Sequence, residues 1–268
     1  MFIGDSIHFN QWQSMVCMVQ STIQSGNHTF NNTAQMSIFN IEEYNATIAF
    51  YWAPFLVESN VDPPSMRYGK TDPIITLQSI SKHGDYWKDS DYLVFNTYIW
   101  WLRHPKIKVL QGSTDFDEIE IYIAYEQVLR SWANWLDQNI DPNRTSVFFS
   151  SMSPTHVRSS YWGGNEGISM CGKETEPIQL NTSRQLDVGT NRRLFEIAVN
   201  ATRSTTKVPV RFLNVTTMSE YRKDAHISFY GSRSAKDPGT LADCLHWCLP
   251  GLPDTWNELL SLYIIHRA

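Results

Sequence analysis

Short apolar, β-branched and aromatic runs alternate with helical patterns along almost the whole of this 268-residue chain, and few architectures absorb such an alternation. The runs at 2–4, 46–52, 92–95, 145–149 and 208–215 are each short enough for a buried strand. Between them, periodic patterns predict helices over 10–23, 74–81, 121–136, 192–202 and 256–265. In the third, Tyr125, Val128, Trp132 and Trp135 share one side. Five strands separated by helices predict an α/β fold built on a mostly parallel five-stranded sheet with helices on both faces. No internal repeat or linker divides the sequence, so residues 1–268 read as a single domain.

Two stretches break the alternation: 58–71, rich in Pro and polar residues, and 153–191, rich in Gly, Ser and Thr. Ligands of open α/β sheets bind outside the carboxyl ends of the strands, where long loops gather, so both stretches are expected to shape a substrate groove.

The chemistry-bearing residues sit at the ends of these runs. The first strand closes on Gly4-Asp5-Ser6 just before a helical pattern, which places the Ser6 hydroxyl at a strand-to-helix turn beside free helix amides. Alone, the tripeptide is also an ordinary turn with a helix cap. Near the other end stands Asp243-Cys244-Leu245-His246, whose spacing lets a carboxylate hold one imidazole nitrogen while the other faces a serine, provided the backbone turns. Asp224-Ala225-His226 is the rival pair, although Arg222 and Lys223 beside it read as a salt-bridged turn. Asn96 ends the third run and is the candidate second oxyanion donor, beside the Ser6 N–H. Trp100 and Trp101 follow it and are candidates for stacking on a sugar ring, against the plainer reading that most of the ten tryptophans are core.

A formal charge of −5 and the absence of any long Lys/Arg run argue against a nucleic-acid partner. No stretch approaches the roughly 20 apolar residues that span a bilayer, and the start lacks the order of a signal peptide. Seven N-x-S/T sequons, at Asn27, Asn31, Asn45, Asn143, Asn181, Asn200 and Asn214, exceed chance and lean towards the secretory pathway. The four cysteines, Cys17, Cys171, Cys244 and Cys248, allow three full pairings. Cys244 and Cys248 have metal-ligand spacing but lack a second close pair, so a disulfide fits better than zinc. A bond from Cys171 to Cys244 or Cys248 is expected, because it would pin the loop bearing His246 to the long loop before it. No phosphate-cradling glycine loop occurs.

The segments Gly4-Asp5-Ser6 with Asn10-Gln11-Trp12-Gln13-Ser14, Phe95-Asn96-Thr97-Tyr98-Ile99-Trp100-Trp101 and Asp243-Cys244-Leu245-His246-Trp247-Cys248-Leu249-Pro250-Gly251-Leu252-Pro253-Asp254-Thr255-Trp256 resemble the plant trichome birefringence-like family. Phe50-Tyr51-Trp52-Ala53-Pro54-Phe55 and Tyr221-Arg222-Lys223-Asp224-Ala225-His226 carry the resemblance across the rest of the chain. It implies an SGNH-hydrolase-like three-layer sandwich and a polysaccharide O-acetyltransferase of the Golgi, in the branch that acetylates xylan. By position it implies Ser6 as nucleophile, His246 as base, Asp243 as its orienting partner and Asn96 as oxyanion donor. The implied substrates are an acetyl donor, with acetyl-CoA as one candidate, and a xylan or related polysaccharide acceptor; no bound cofactor is implied. Family members have Arg three residues after the serine, where this chain has Phe9. No glycine stands at the usual second oxyanion position, Gly84 reading as a helix end. The family's membrane anchor and a cysteine-containing segment would precede the serine motif, whereas five residues precede Ser6 here, so the chain looks truncated at its N-terminus. A polysaccharide acetyl esterase and a catalytically impaired carbohydrate-binding homologue are the competing readings.

Overall fold

The computed structural model describes residues 1–23, 26–64, 72–111, 115–163, 170–179, 188–231 and 242–266. In chain order its main elements are β1 (Phe2–Gly4), α1 (Ser6–Gln20), β2 (His28–Asn32), β3 (Met36–Ile41), β4 (Ala46–Trp52), β5 (Ile74–Ile75), α2 (Ile80–Gly84), β6 (Tyr92–Phe95), β7 (Lys106–Gln111), β8 (Asp115–Glu120), α3 (Ile121–Asn139), β9 (Ser146–Ser150), α4 (Arg192–Ser204), β10 (Val210–Leu213), α5 (Thr216–Glu220), β11 (His226–Ser228), β12 (Asp243–Trp247) and α6 (Leu252–Ile265).

The central sheet has seven strands rather than the five expected, in the order β10-β9-β6-β1-β4-β3-β2. Its parallel part, β10 to β4, consists of the five strands legible as apolar runs. The two additional strands, β2 and β3, extend it antiparallel. Their half-polar sequences, such as His-Thr-Phe-Asn-Asn, match an edge with one wet face rather than a strand buried on both sides. Smaller sheets join β5 to the β7–β8 hairpin and β11 to β12. The helix expected over 74–81 is corrected: Ile74 and Ile75 pair in parallel with Lys108 and Val109, and only Ile80–Gly84 is helical. Strand pairing there outweighs local helical periodicity.

Chain order reverses at β1, with β4 on one side and β6 on the other, so this is the topological switch point where doubly wound sheets open a crevice. One face of the sheet receives α3 and α4. Trp132 of α3 meets Phe95 and Phe149 edge-on at 5.4 and 5.3 Å, and Phe195 of α4 meets Phe212 at 5.5 Å. The other face carries α1 and α6, with Tyr263 of α6 against Phe148. Helices on both faces of one sheet make the three-layer arrangement expected for an α/β chain. One apolar cluster runs from Phe2 to Leu260, and nine of the ten tryptophans are buried, Trp162 being the exception.

Cys171 is bonded to Cys244, the first of the two alternative partners expected for it, and Cys17 and Cys248 are free. Asn31, Asn45, Asn143, Asn200 and Asn214 are exposed and Asn27 is half-buried, so each of these sequons is open to modification; Asn181 lies outside the described residues. So do 65–71, 164–169 and 180–187 of the two long loops.

Candidate active site

Ser6 stands where β1 becomes α1. Asp5 caps the helix by accepting the Ile7 N–H at 2.9 Å, so Ser6 is the first helical residue and its hydroxyl lies beside first-turn amides. Gly4 is required by close approach. A Cβ there would come within 2.7 Å of the Asn96 carbonyl oxygen, which belongs to the neighbouring strand end.

The far end of the chain reaches Ser6 through a buried polar interface between α1 and α6. Asn257 donates to the Gln11 carbonyl oxygen and to Ser14 Oγ, both at 2.9 Å, while Gln11 donates to Asn257 Oδ1 at 3.2 Å. Asn10 then accepts the Trp247 N–H at 2.8 Å and fixes β12 over the start of α1. Residues of two motifs about 240 positions apart thus hold each other in register, and His246 arrives beside Ser6 as a consequence.

The Ser6 hydroxyl lies 2.8 Å from His246 Nε2, and His246 Nδ1 lies 2.8 Å from Asp243 Oδ2. Residues three apart in a regular strand would point to opposite faces. Here β12 bulges. Asp243 pairs with Ser228 and Trp247 with His226, so the longer strand carries extra residues between these points. Asp243 Oδ1 fastens the turn by accepting the N–H groups of Leu245 and His246 at 3.1 and 3.0 Å. The disulfide at the adjacent Cys244 ties this segment to Cys171.

The electrostatics follow from these contacts. Burial pushes the Asp243 carboxyl upward, but hydrogen bonds from the His246 side chain and from main-chain amides, with the imidazole charge, hold it down at about 2. Burial likewise disfavours a charged His246, yet the Asp243 hydrogen bond and charge, aided by Asp5, raise its pKa above the ordinary imidazole value. Asp5, fully buried with Oδ2 unpartnered, is pushed up to about 6 by desolvation. A carboxylate held ionised against an imidazole whose other nitrogen meets a serine hydroxyl is the arrangement that activates serine for attack on an acyl carbon.

The other expected residues divide. Asn96 is buried and its amide donates to the carbonyl oxygens of Ser150 and Ser151, both at 3.1 Å, so it ties β6 to β9 and has no free N–H for an oxyanion. The expectation for Asn96 is corrected on that ground; among the expected donors the Ser6 N–H remains. Trp100 lines the cavity at the serine, a space of about 870 Å³ also bordered by Trp52, Tyr98, Arg103 and Arg158, and the Arg103 guanidinium sits 3.8 Å over its ring. Trp101 does not reach that cavity. It is 1 % exposed, packs on Phe55 and Tyr125, and donates its indole N–H to Thr97 Oγ1 at 2.8 Å. Trp101→Ala should therefore cost about 3–5 kcal/mol by denaturant unfolding, and Trp100→Ala clearly less, because truncation at the cavity wall leaves no closed void. Equal losses would contradict this division.

His226 does not face Ser6. One of its nitrogens meets His156 at 2.7 Å and the other meets the His246 carbonyl oxygen at 3.0 Å, while Arg222 pairs with Asp224 as a salt-bridged turn. Gly84 closes α2 and packs on Trp135, away from the cavity. Sequence reasoning missed the positioning work of Asn10, Gln11 and Asn257, although polar residues at buried helical spacing were the signal available.

The profile of the GDSL/SGNH-like acyl-esterase family found in Pmr5 and Cas1p matches residues 1–263. The chain is 48% identical to xylan O-acetyltransferase 7 of Oryza sativa subsp. japonica over 100% of its own length and 48% of that protein's. It is 50% identical to xylan O-acetyltransferase 6 of the same plant, covering 97% of this chain and 49% of the relative. To protein trichome birefringence-like 3 of Arabidopsis thaliana it is 40% identical over 98% of this chain and 62% of the relative. The chain spans about half the length of the first two relatives. With the family profile covering nearly every residue, this chain belongs to the GDSL/SGNH-like acyl-esterase family found in Pmr5 and Cas1p.

Proposed function

We propose that this chain is the acyl-transfer domain of a polysaccharide O-acetyltransferase whose acceptor is xylan. The observation that carries the reading is the hydrogen-bonded series Ser6, His246, Asp243, with both contacts at 2.8 Å. In the first step Ser6 Oγ bonds to the acetyl carbon, the bond from that carbon to the donor's leaving group breaks, and the serine proton passes through His246 Nε2 to the leaving group. In the second, a sugar hydroxyl gives its proton to His246 and bonds to the acetyl carbon. The Ser6–acyl bond then breaks and the serine recovers its proton. The first-turn amide of Ser6 is suited to the oxyanion in both steps.

The choice of xylan is supported by relatives named xylan O-acetyltransferase, two of them 48% and 50% identical. The acetyl donor is a co-substrate, for which acetyl-CoA is one candidate. A Golgi location is part of the same reading, and the exposed sequons agree with passage through the secretory route.

The test is mass analysis of the Ser6 peptide after exposure to an acetyl donor, followed by addition of xylo-oligosaccharides. An acetyl group on Ser6 that moves to the oligosaccharide is expected. Release of free acetate at the same rate with and without acceptor, and no acetylated sugar, would instead identify an esterase.

A further inference from the structure

Among the described residues, two cavities include Ser6 in their lining. The first, of about 870 Å³, is bordered by Arg103, Arg158, Asn191 and Tyr161 and is rich in groups that hydrogen-bond to a saccharide. The second, of about 530 Å³, is lined mostly by apolar groups, Phe9, Met36, Phe50, Trp52 and Pro63 among them, with Thr33, Gln35 and Ser37 as its polar part. Among its described lining residues none is charged. Among the described residues Ser6 and Trp52 are common to both, and Trp52 is held in place by its indole N–H on the Val61 carbonyl oxygen at 3.2 Å.

Phe9 contributes an aromatic side chain to the apolar part of the second cavity. It stands three residues after Ser6 on α1 and so falls on the same side of the helix. Its ring stacks on Trp12 at 5.2 Å and meets Phe50 edge-on at 5.0 Å, which gives this wall a packed aromatic surface. An arginine at this position would put a guanidinium beside the nucleophile and leave the cavity wet.

We infer that the Phe9 cavity is the acyl-donor site, receiving the uncharged, apolar acyl end of the donor, while the saccharide acceptor uses the other, arginine-bearing cavity. The inference rests on the acyl-serine reading above. It adds that the two substrates approach one serine from separate cavities, so that neither obstructs the other. An acyl carbon attached to Ser6 has van der Waals partners on the Phe9 side, and its carbonyl carbon stays open to a hydroxyl arriving from the His246 side. The apolar site also has room beyond an acetyl group, so the methylenes of a longer acyl chain should gain contact rather than clash.

The probes are 4-nitrophenyl acetate and 4-nitrophenyl butanoate as donors and xylohexaose as acceptor, with the full chain. Two cavities predict that xylohexaose does not compete with the donor, and that butanoate acylates Ser6 at least as well as acetate. Phe9→Arg and Met36→Ser should each raise the donor KM, by about tenfold for butanoate. The butanoate-to-acetate preference should fall in both variants, with the xylohexaose KM changing far less. Competitive inhibition of acylation by xylohexaose in the unaltered protein would overturn the inference whether or not the variants fold. An unchanged butanoate-to-acetate ratio in folded Phe9→Arg would do the same. Failure of acetate and butanoate alike to label Ser6 in the unaltered protein would instead remove the acyl-serine reading on which the inference stands, whereas failure of butanoate alone would overturn the inference.

Discussion

Ser6→Ala should eliminate acyl-enzyme formation and lower turnover by about six orders of magnitude, the scale seen when a serine nucleophile is removed from a triad. The fold should not notice. Ser6 is half-buried, the cap of α1 is the Asp5 carboxylate, and the Ser6 hydroxyl is hydrogen-bonded to His246 at the edge of a cavity rather than set in the core. Circular dichroism and thermal unfolding should therefore match the unaltered protein. His246→Ala should give a loss of similar size in both half-reactions, because in the proposed mechanism one imidazole takes the serine proton and later the acceptor's proton. Since nucleophile and base act as a unit, the double variant should be little worse than either single one. A Ser6→Ala protein that still transferred acetyl to xylo-oligosaccharides at an undiminished rate would defeat the mechanism.

How much of this could be read from residues alone depends on what each signal measures. The five parallel strands were legible because strands covered on both faces need continuous apolar runs, as in Tyr92–Phe95 or Ser146–Ser150. The hairpins were not. Strand β2 is nearly all exposed, and β8 reads Asp-Phe-Asp-Glu-Ile-Glu, so neither presents a buried run. Ile74 and Ile75 are strand only because Lys108 and Val109 lie beside them, a contact that local periodicity does not contain. At the site, residue type and position at a strand end located Ser6, Asp243 and His246, but not the direction of a side chain. Asn96 has the right chemistry at the right strand end and spends both amide hydrogens on Ser150 and Ser151. Trp100 and Trp101 are adjacent and identical in type, yet a single helical turn sends one to the cavity and the other to the core.

Asp243→Asn should lower the rate of Ser6 acylation by about four orders of magnitude, as the equivalent change does in other serine triads, and the hydrogen bonds explain why so small a change is so costly. One carboxylate oxygen of Asp243 accepts the amides of Leu245 and His246, and the other accepts from His246 Nδ1. An asparagine has one oxygen for three donors. If the oxygen keeps the two main-chain amides, the side-chain NH₂ faces His246 Nδ1, the ring proton moves to Nε2, and the base can no longer accept from Ser6. If the oxygen turns to Nδ1, the NH₂ faces two main-chain N–H groups and the turn that carries His246 loosens. The pH profile separates this from a merely structural loss. Asp243 raises the His246 pKa above the ordinary imidazole value, so in the unaltered protein the rate should climb as pH rises through that raised value and deprotonates the base. With the carboxylate gone, burial lowers the pKa and the acid limb should move to lower pH even as the plateau falls. The carboxyl itself is held at about 2, so it stays ionised across the working range and contributes no limb near neutrality. Measuring kcat/KM against pH for both proteins tests this directly. An acid limb that stays in place, or a rate within tenfold of the unaltered protein, would mean that Asp243 does not govern the base.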